Sequence, residues 1–392
     1  MIQMRDVAII GVGVTKFGEL WDKSFRALGI EAGMKAMEDA NLSGSEVDGI
    51  FIGNMSAGRF INQQNIASLI VDYSGLASNN VPATRIEAGG ASGAVAFRQA
   101  VMAVASGLND VVLVGGAEKM TDLDDVSINS ILDSTADAEW EAGMGVTFAG
   151  LHAMIAQRMM HDGTATREEI ASFAGNSHFH GALNPNAQFR KAITLDTVLK
   201  SGPVASPLGM FDCAPITDGA ASLVLCPLED ARKHTDSYVK VSATEQASDS
   251  LGLFQRSDIT SYGATVKAAE KAYRRAGITA EDIDVAEVHD VYTVSGIMAL
   301  QDLGFFKKGE AGKAVLEGRC QLGGDAVTVN TSGGLKARGH PIGATGVAQI
   351  VEVVEQLRGS ADKRQVEGAR YGMAQSSGGT GSTVAVSILE AI

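Results

Sequence analysis

One histidine sits where packing alone gives it little reason to be. His340 lies between Gly339 and Pro341 in the run Asn330-Thr-Ser-Gly333-Gly334-Leu-Lys-Ala-Arg-Gly339-His340-Pro341-Ile-Gly343-Ala-Thr-Gly346. Pro341 restricts the backbone of His340. The surrounding glycines leave room for a ligand, and N–H groups at the helix start that follows can hold a developing oxyanion or a carbonyl. A second histidine, His289, falls in Glu287-Val-His289-Asp290-Val-Tyr292-Thr at the end of an apolar strand. Strand ends are the usual ligand side of open α/β sheets. His340, His289 and Tyr292 are the side chains able to move protons here. Two more glycine-rich runs, Glu87 to Gly93 and Ser376-Ser377-Gly378-Gly379-Thr380-Gly381-Ser382, each read alone as tight turns. His152, His161, His178, His180 and His234 fall in polar contexts and read as surface positions, with His152 near Gly150 the least settled. Cys226, in the apolar run Ser222 to Cys226, reads as core.

The elements that must position these residues alternate strand and helix. Val7 to Ile10 reads as a strand ending in a Gly11-Val12-Gly13 turn, and Ser24 to Ala40 as a helix. Val47 to Ile52 reads as a strand, Gly93 to Ser106 as a small-residue helix, and Asp110 to Val114 as a strand stopping at Gly115-Gly116. This order argues for an α/β fold with a buried sheet. Gly11-Val-Gly13 lacks the third glycine and the helix of a dinucleotide fingerprint, which excludes a Rossmann dehydrogenase. Two internal matches point to a duplication: Ala36 to Asp48 resembles Ala272 to Asp284, and Ala91 to Ala96 resembles Ala344 to Gln349. Residues 121–194 break the alternation and read as a mostly helical insertion, with the methionines from Met154 to Met160 as core filler. The domain division expected is 1–120 with 195–235, an insertion over 121–194, and a second half over 236–392.

Composition removes several classes. The chain has 392 residues, 45% of them hydrophobic, so disorder is excluded. A net charge of -14 argues against a partner that is a nucleic-acid backbone. Three cysteines make no disulfide framework and suit a reducing, cytoplasmic compartment. No apolar run is long enough for a membrane span, and Met1 to Gly18 reads as a strand and turn rather than a signal peptide.

The run Gly333 to Gly346 resembles the Gly-His-Pro loop of the thiolase superfamily. Glu87 to Gly93 resembles that family's nucleophile loop, and Gly115-Gly116-Ala-Glu118-Lys119-Met120 the glycines at the end of the following strand. Cys213 to Ala221 is similar to another family segment, and the His289-Asp290 pair to the archaeal-type and sterol-carrier-linked branch. The resemblance spans nearly the whole chain. It implies a duplicated, five-layered α-β-α-β-α fold with coenzyme A thioesters as substrates and no other cofactor or metal. It implies that His340 polarises the substrate carbonyl and that His289 holds a water at a second oxyanion site. Asn330, Gly334, Ser377, Gly378, Gly379 and Tyr292 are then expected around the substrate and coenzyme A. It also implies a homodimer or tetramer, and a small zinc-ribbon/OB-fold partner protein.

The chain departs from that pattern where the chemistry is heaviest. Where the family carries its nucleophilic cysteine this chain has Gly90, and at two alternative cysteine positions it has Gln375 and Val291. Cys213, Cys226 and Cys320 match none of these positions. Three functions remain open. The first is a thiolase-lineage acyl-CoA enzyme making or cleaving a C–C bond, impaired in thioester exchange, with Gly90 either native or introduced. The second is a retro-aldol lyase acting on a 3-hydroxyacyl-CoA without an acyl-enzyme. The third is a non-catalytic coenzyme A-binding subunit.

Overall fold

The computed structural model describes residues 4–392, and Met1 to Gln3 lie outside the described residues. In β1 (Val7–Val14) the residues alternate between two cores, Val7 and Ile9 joining one and Ala8 and Ile10 the other. That is the two-residue period of a strand covered on both faces. The first half continues with α1 (Phe25–Asp39), β2 (Gly49–Gly53), β3 (Ala83–Ile86), α2 (Ser92–Ala105) and β4 (Val112–Glu118). Four helices follow, α3 (Asp125–Asp133), α4 (Phe148–His161), α5 (Arg167–Gly181) and a short one over Leu195–Leu199, before β5 (Gly219–Pro227) closes the half. The second half runs β6 (Val239–Ser248), α6 (Gly263–Ala276), β7 (Val285–Glu287), α7 (Thr293–Asp302), β8 (Thr328–Val329), α8 (Ile342–Leu357), β9 (Tyr371–Gly378) and β10 (Thr383–Ala391).

The strand order is β8-β7-β9-β10-β6-β1-β5-β4-β2-β3. Each half therefore orders its own strands third, second, fourth, fifth, first. The directions agree as well. β2 is parallel to β3 and β4, as β7 is to β8 and β9. β5 is antiparallel to β4 and β1, as β10 is to β9 and β6. The halves meet where Ala8 and Ile9 of β1 pair with Lys240 and Val239 of β6. One core joins both half-sheets to α2 and α8, a second seats α1 on the outer face of the first half, and a third gathers α6 and α7 outside the other. The result is the five-layered α/β fold that the resemblance implied.

The duplication reaches individual hydrogen bonds. After α1, Ser43 and Glu46 form a reciprocal capping box, and after α6 Thr279 and Asp282 form the same one. The Asp48 carboxylate then accepts from the N–H groups of Asp110 and Val111 ahead of β4. Asp284 accepts from those of Arg370 and Tyr371 at the start of β9. Helices α2 and α8 cross where Gly93 and Gly346 face each other's backbone. A Cβ on Gly93 would lie 3.0 Å from the Val347 nitrogen, and one on Gly346 would run into the Ala94 nitrogen.

Three expectations are corrected. β1 continues through Gly11 and Gly13, and β4 through Gly115 and Gly116, instead of stopping there. Helices press on three of them, Gly11, Gly13 and Gly116. A Cβ on Gly11 or Gly13 would meet carbonyls of α1, and one on Gly116 the start of α8. Met159 is core, but Met154 and Met160 are exposed. Finally, His152, His178 and His180 are buried, on the inward faces of α4 and α5. No helix among the described residues is long and apolar enough to cross a membrane.

Candidate active site

The carboxyl end of β7 and the loop entering α8 bring His289 and His340 together, their rings edge to face with centroids 5.2 Å apart. His340 is held by its backbone. Gly339 at φ +113° turns the chain, a conformation open to glycine and costly for other residues. The His340 N–H donates to Thr217 Oγ1 at 3.0 Å. The ring is held by Thr345, one turn into α8, whose Oγ1 lies 2.7 Å from Nδ1. Because the Thr345 hydroxyl donates to the Pro341 carbonyl at 3.2 Å, it accepts from Nδ1–H. That tautomer leaves a lone pair on Nε2. Burial, with Arg338 adding to it, lowers the His340 pKa to about 3, so the ring stays neutral at physiological pH.

His289 is fixed through its N–H, which donates to the Gln375 side-chain oxygen at 2.9 Å. Burial, with smaller contributions from His340, His152 and Arg338, holds its pKa well below the ordinary histidine value. Its Nδ1 is buried without a protein partner. The ring lies over position 90. A Cβ there would run into the Ser377 carbonyl oxygen and lie 2.8 and 2.9 Å from His289 Cε1 and Nε2. Tyr292, at the start of α7, lines the same space and stacks on His152 with centroids 4.3 Å apart. His152 bonds the Phe148 carbonyl at 2.9 Å and lies 3.3 Å from the Tyr262 hydroxyl.

Gly90, His289, His340, Tyr292, Ser377 and Gly379 line one cavity of about 50 Å³. Gly378 lies beside it, packed against the Ala88 carbonyl, in a second cleft that shares Met55, Thr135 and Gly379. Asn330 and Gly334 are not brought to the cavity. Asn330 turns inward, its side-chain oxygen accepting from the Val288 N–H at 2.7 Å, so it braces the strand end that carries His289. A Cβ on Gly334 would meet the Asp290 carboxylate at 2.6 Å, so glycine there admits a buried acid rather than a substrate.

No cysteine reaches the cavity. Cys226 and Cys320 are in the cores, and burial raises their thiol pKa values to about 12. Cys213 pairs with Tyr292 through a backbone bridge, donates its thiol to the Gly209 carbonyl at 3.4 Å, and is also raised to about 12 by burial and by Asp212. A thiol so protonated is a poor nucleophile. Sequence reasoning missed Thr217, Thr345 and the apolar wall of Met55, Met120, Ile216 and Ile342. The five-residue spacing from His340 to Thr345 was a visible signal. The wall gave none, since its members lie far apart in the chain.

Comparison with known proteins identifies the family. The family model "Thiolase, N-terminal domain" matches residues 7–229, and "Thiolase C-terminal domain-like" matches residues 245–391. An "Acetyl-CoA acetyltransferase" of Methanothermobacter thermautotrophicus is 52% identical, over 98% of this chain and 99% of its own. "Sterol carrier protein 2" of Gallus gallus is 33% identical, over 99% of this chain and 72% of its own. Among solved structures, one titled "Ltp2-ChsH2(DUF35) aldolase" superposes with a TM-score of 0.85 at 27% identity, over 100% of this chain and 99% of its own.

Proposed function

The chain belongs to the thiolase family, and from that premise we propose that it makes or cleaves a carbon–carbon bond beside a coenzyme A thioester by an aldol route, with no acyl-enzyme. The observation that carries this reading is the environment of Gly90, taken as the family's nucleophile position. The cavity holds no thiol, and the His289 ring and Ser377 carbonyl occupy the space that a side chain at 90 would need.

In the cleavage direction, His340 Nε2 takes the proton of the substrate's 3-hydroxyl. The C2–C3 bond breaks with its electron pair going to C2, the thioester oxygen takes the enolate charge, and a ketone or aldehyde leaves. Protonation of C2 then gives the shortened acyl-CoA. The neutral His289 ring carries one N–H, suited to donate to the thioester oxygen, and His340, holding the proton of the 3-hydroxyl, is the group that returns it to C2, while burial keeps the Tyr292 hydroxyl protonated beside them. Neither step calls on a resident cofactor or metal, and coenzyme A enters as part of the substrate.

A second reading, acyl transfer by thiolysis, is favoured by the 52% identical relative's name. Binding without chemistry is less well supported, because the cavity keeps both neutral histidines. The assay is direct. The chain is incubated with a 3-hydroxyacyl-CoA bearing a tertiary alcohol, and separately with a 3-oxoacyl-CoA plus coenzyme A. Ketone release from the first and no thiolysis of the second are expected. Thiolysis by the unaltered chain overturns the proposal, and thiolysis only after Gly90→Cys supports an interrupted thiolase instead. We also propose a homo-oligomer located in the cytoplasm, with a small zinc-ribbon/OB-fold partner, as the paired proteins in the aldolase structure's title suggest. Co-purification checks the partner.

A further inference from the structure

We propose that the outer face of the second half carries a second ligand site, a cleft that binds a small primary amine through its ammonium group and an apolar stem. The site is independent of the chemistry proposed at Gly90.

The cleft, of about 560 Å³, lies between α6 and the chain that leaves the carboxyl end of α7. It is remote from the cavity that holds the histidines. Helix α7 has 10 residues and runs between the two, opening after Tyr292 and ending at Asp302, a length of about 15 Å. The floor of the cleft is apolar, made of Val266, Ala269, Tyr273, Ile278 and Leu303. The Tyr273 hydroxyl donates to the Leu303 carbonyl at 2.8 Å, so its ring counts with that floor. The charge around it is mostly negative: Asp258, Glu270 and Asp302 stand against one cation, Lys308. Lys308 pairs with Asp258 at 2.7 Å, and Glu270 pairs with Lys267 at 2.9 Å. Asp302 has no cationic partner among the described residues; it accepts from the Ser261 hydroxyl and the Tyr262 N–H, both at 2.7 Å. A carboxylate offers about four lone-pair positions, so further ones stay free. Burial, with Asp258 adding to it, raises the Asp302 pKa to about 7, as expected of a buried acid whose charge nothing nearby balances. Asp302 also stands at the negative end of the α7 dipole. An ammonium entering the cleft gains a charge-assisted hydrogen bond there. A metal ion fits less well, since no group of three His, Cys, Asp or Glu among the described residues could hold one, and an apolar floor offers nothing to replace a bare ion's water. An alkyl stem covers that floor instead.

Calorimetry on the full chain, at fixed pH and ionic strength, compares pentylammonium with ammonium, 1-pentanol and pentanoate. Pentylammonium should bind at least about tenfold tighter than each of the other three. No binding overturns the proposal. So does an affinity no better than that of ammonium, which would leave the stem without a role, or no better than that of 1-pentanol, which would leave the charge without one. Two variants locate the site. Asp302→Asn keeps the shape of the side chain and removes its charge. Val266→Lys puts a cation into the cleft from a half-buried position of α6. Each, verified as folded by circular dichroism, should weaken pentylammonium binding at least about fivefold. Undiminished affinity in either folded variant places the amine elsewhere and overturns the proposal, and if one variant fails to fold the other decides.

Discussion

The loop before α2 brings Gly90 to the cavity and no polar side chain with it, while the loop before α8 brings His340 on a glycine turn with Thr345 behind its ring. At the spacing that superposes Gly93 on Gly346, the counterpart of His340 is Glu87, an exposed residue whose carboxylate bonds the Gly89 N–H. At the spacing that superposes Asp48 on Asp284, the counterpart of His289 is Gly53, which packs against the backbone of Gly93. The first half supplies instead Met55 and Met120 of the apolar wall. Two halves alike in strand order, strand sense and capping thus differ at the strand ends. Duplication preserved what holds the layers together, and the chemistry was placed on one side only.

The largest test of that asymmetry compares His340→Ala with Glu87→Ala. The first should lower kcat/KM for C–C chemistry by about a thousandfold, with coenzyme A affinity within a few-fold. The second should change it by less than about tenfold, since Glu87 acts on the cavity only through the Gly89 N–H it accepts from. Steady-state kinetics decide, and equal losses of binding and turnover in His340→Ala would make it a docking residue instead.

The symmetry itself is tested by Asp48→Ala and Asp284→Ala. Each removes a carboxylate that accepts at least two backbone N–H groups ahead of a central strand. Each should cost about 2 kcal/mol in urea unfolding. A large loss in one and none in the other would show that the halves are alike in topology but not in how they are stabilised.

The smallest effect is in pH. His340 holds a pKa of about 3 and His289 one well below the ordinary value, both chiefly through burial. Neither gains a proton between pH 8 and 6, so kcat/KM should vary less than about twofold over that range. Stability behaves differently. His152, His178 and His180 sit near 4 when folded, so below about pH 6.5 the unfolded chain binds more protons and stability falls with pH. Buried Glu118, raised to about 7 by desolvation, works the other way, binding its proton in the folded chain at pH values where the unfolded chain has released it. Thermal midpoints from pH 7 to 5 should therefore fall less steeply than the histidines alone would give, and more steeply in a Glu118→Gln variant.

The duplication was legible in the sequence because capping and strand-start hydrogen bonds are local, so thirteen residues such as Ala36 to Asp48 show the pattern without reference to the rest. His340 was legible for the same reason, since the glycines and the proline that fix its backbone are its neighbours. The buried histidines were misread because polar neighbours in sequence say nothing of which face a helix turns inward. Asn330 and Gly334 were misassigned because a loop has two sides, and only the packing of β7 and β8 decides which faces the cavity.

What the sequence determined by itself was the α/β alternation, the repeat and the glycine at position 90, all carried by short-range order along the chain. What only the tertiary structure decided was that His289 lies over Gly90, that no cysteine lines their cavity, and that Met55, Met120 and Ile216 lie together on its apolar side. Those are contacts between residues tens to hundreds of positions apart, fixed by how five layers pack, and no local pattern records them.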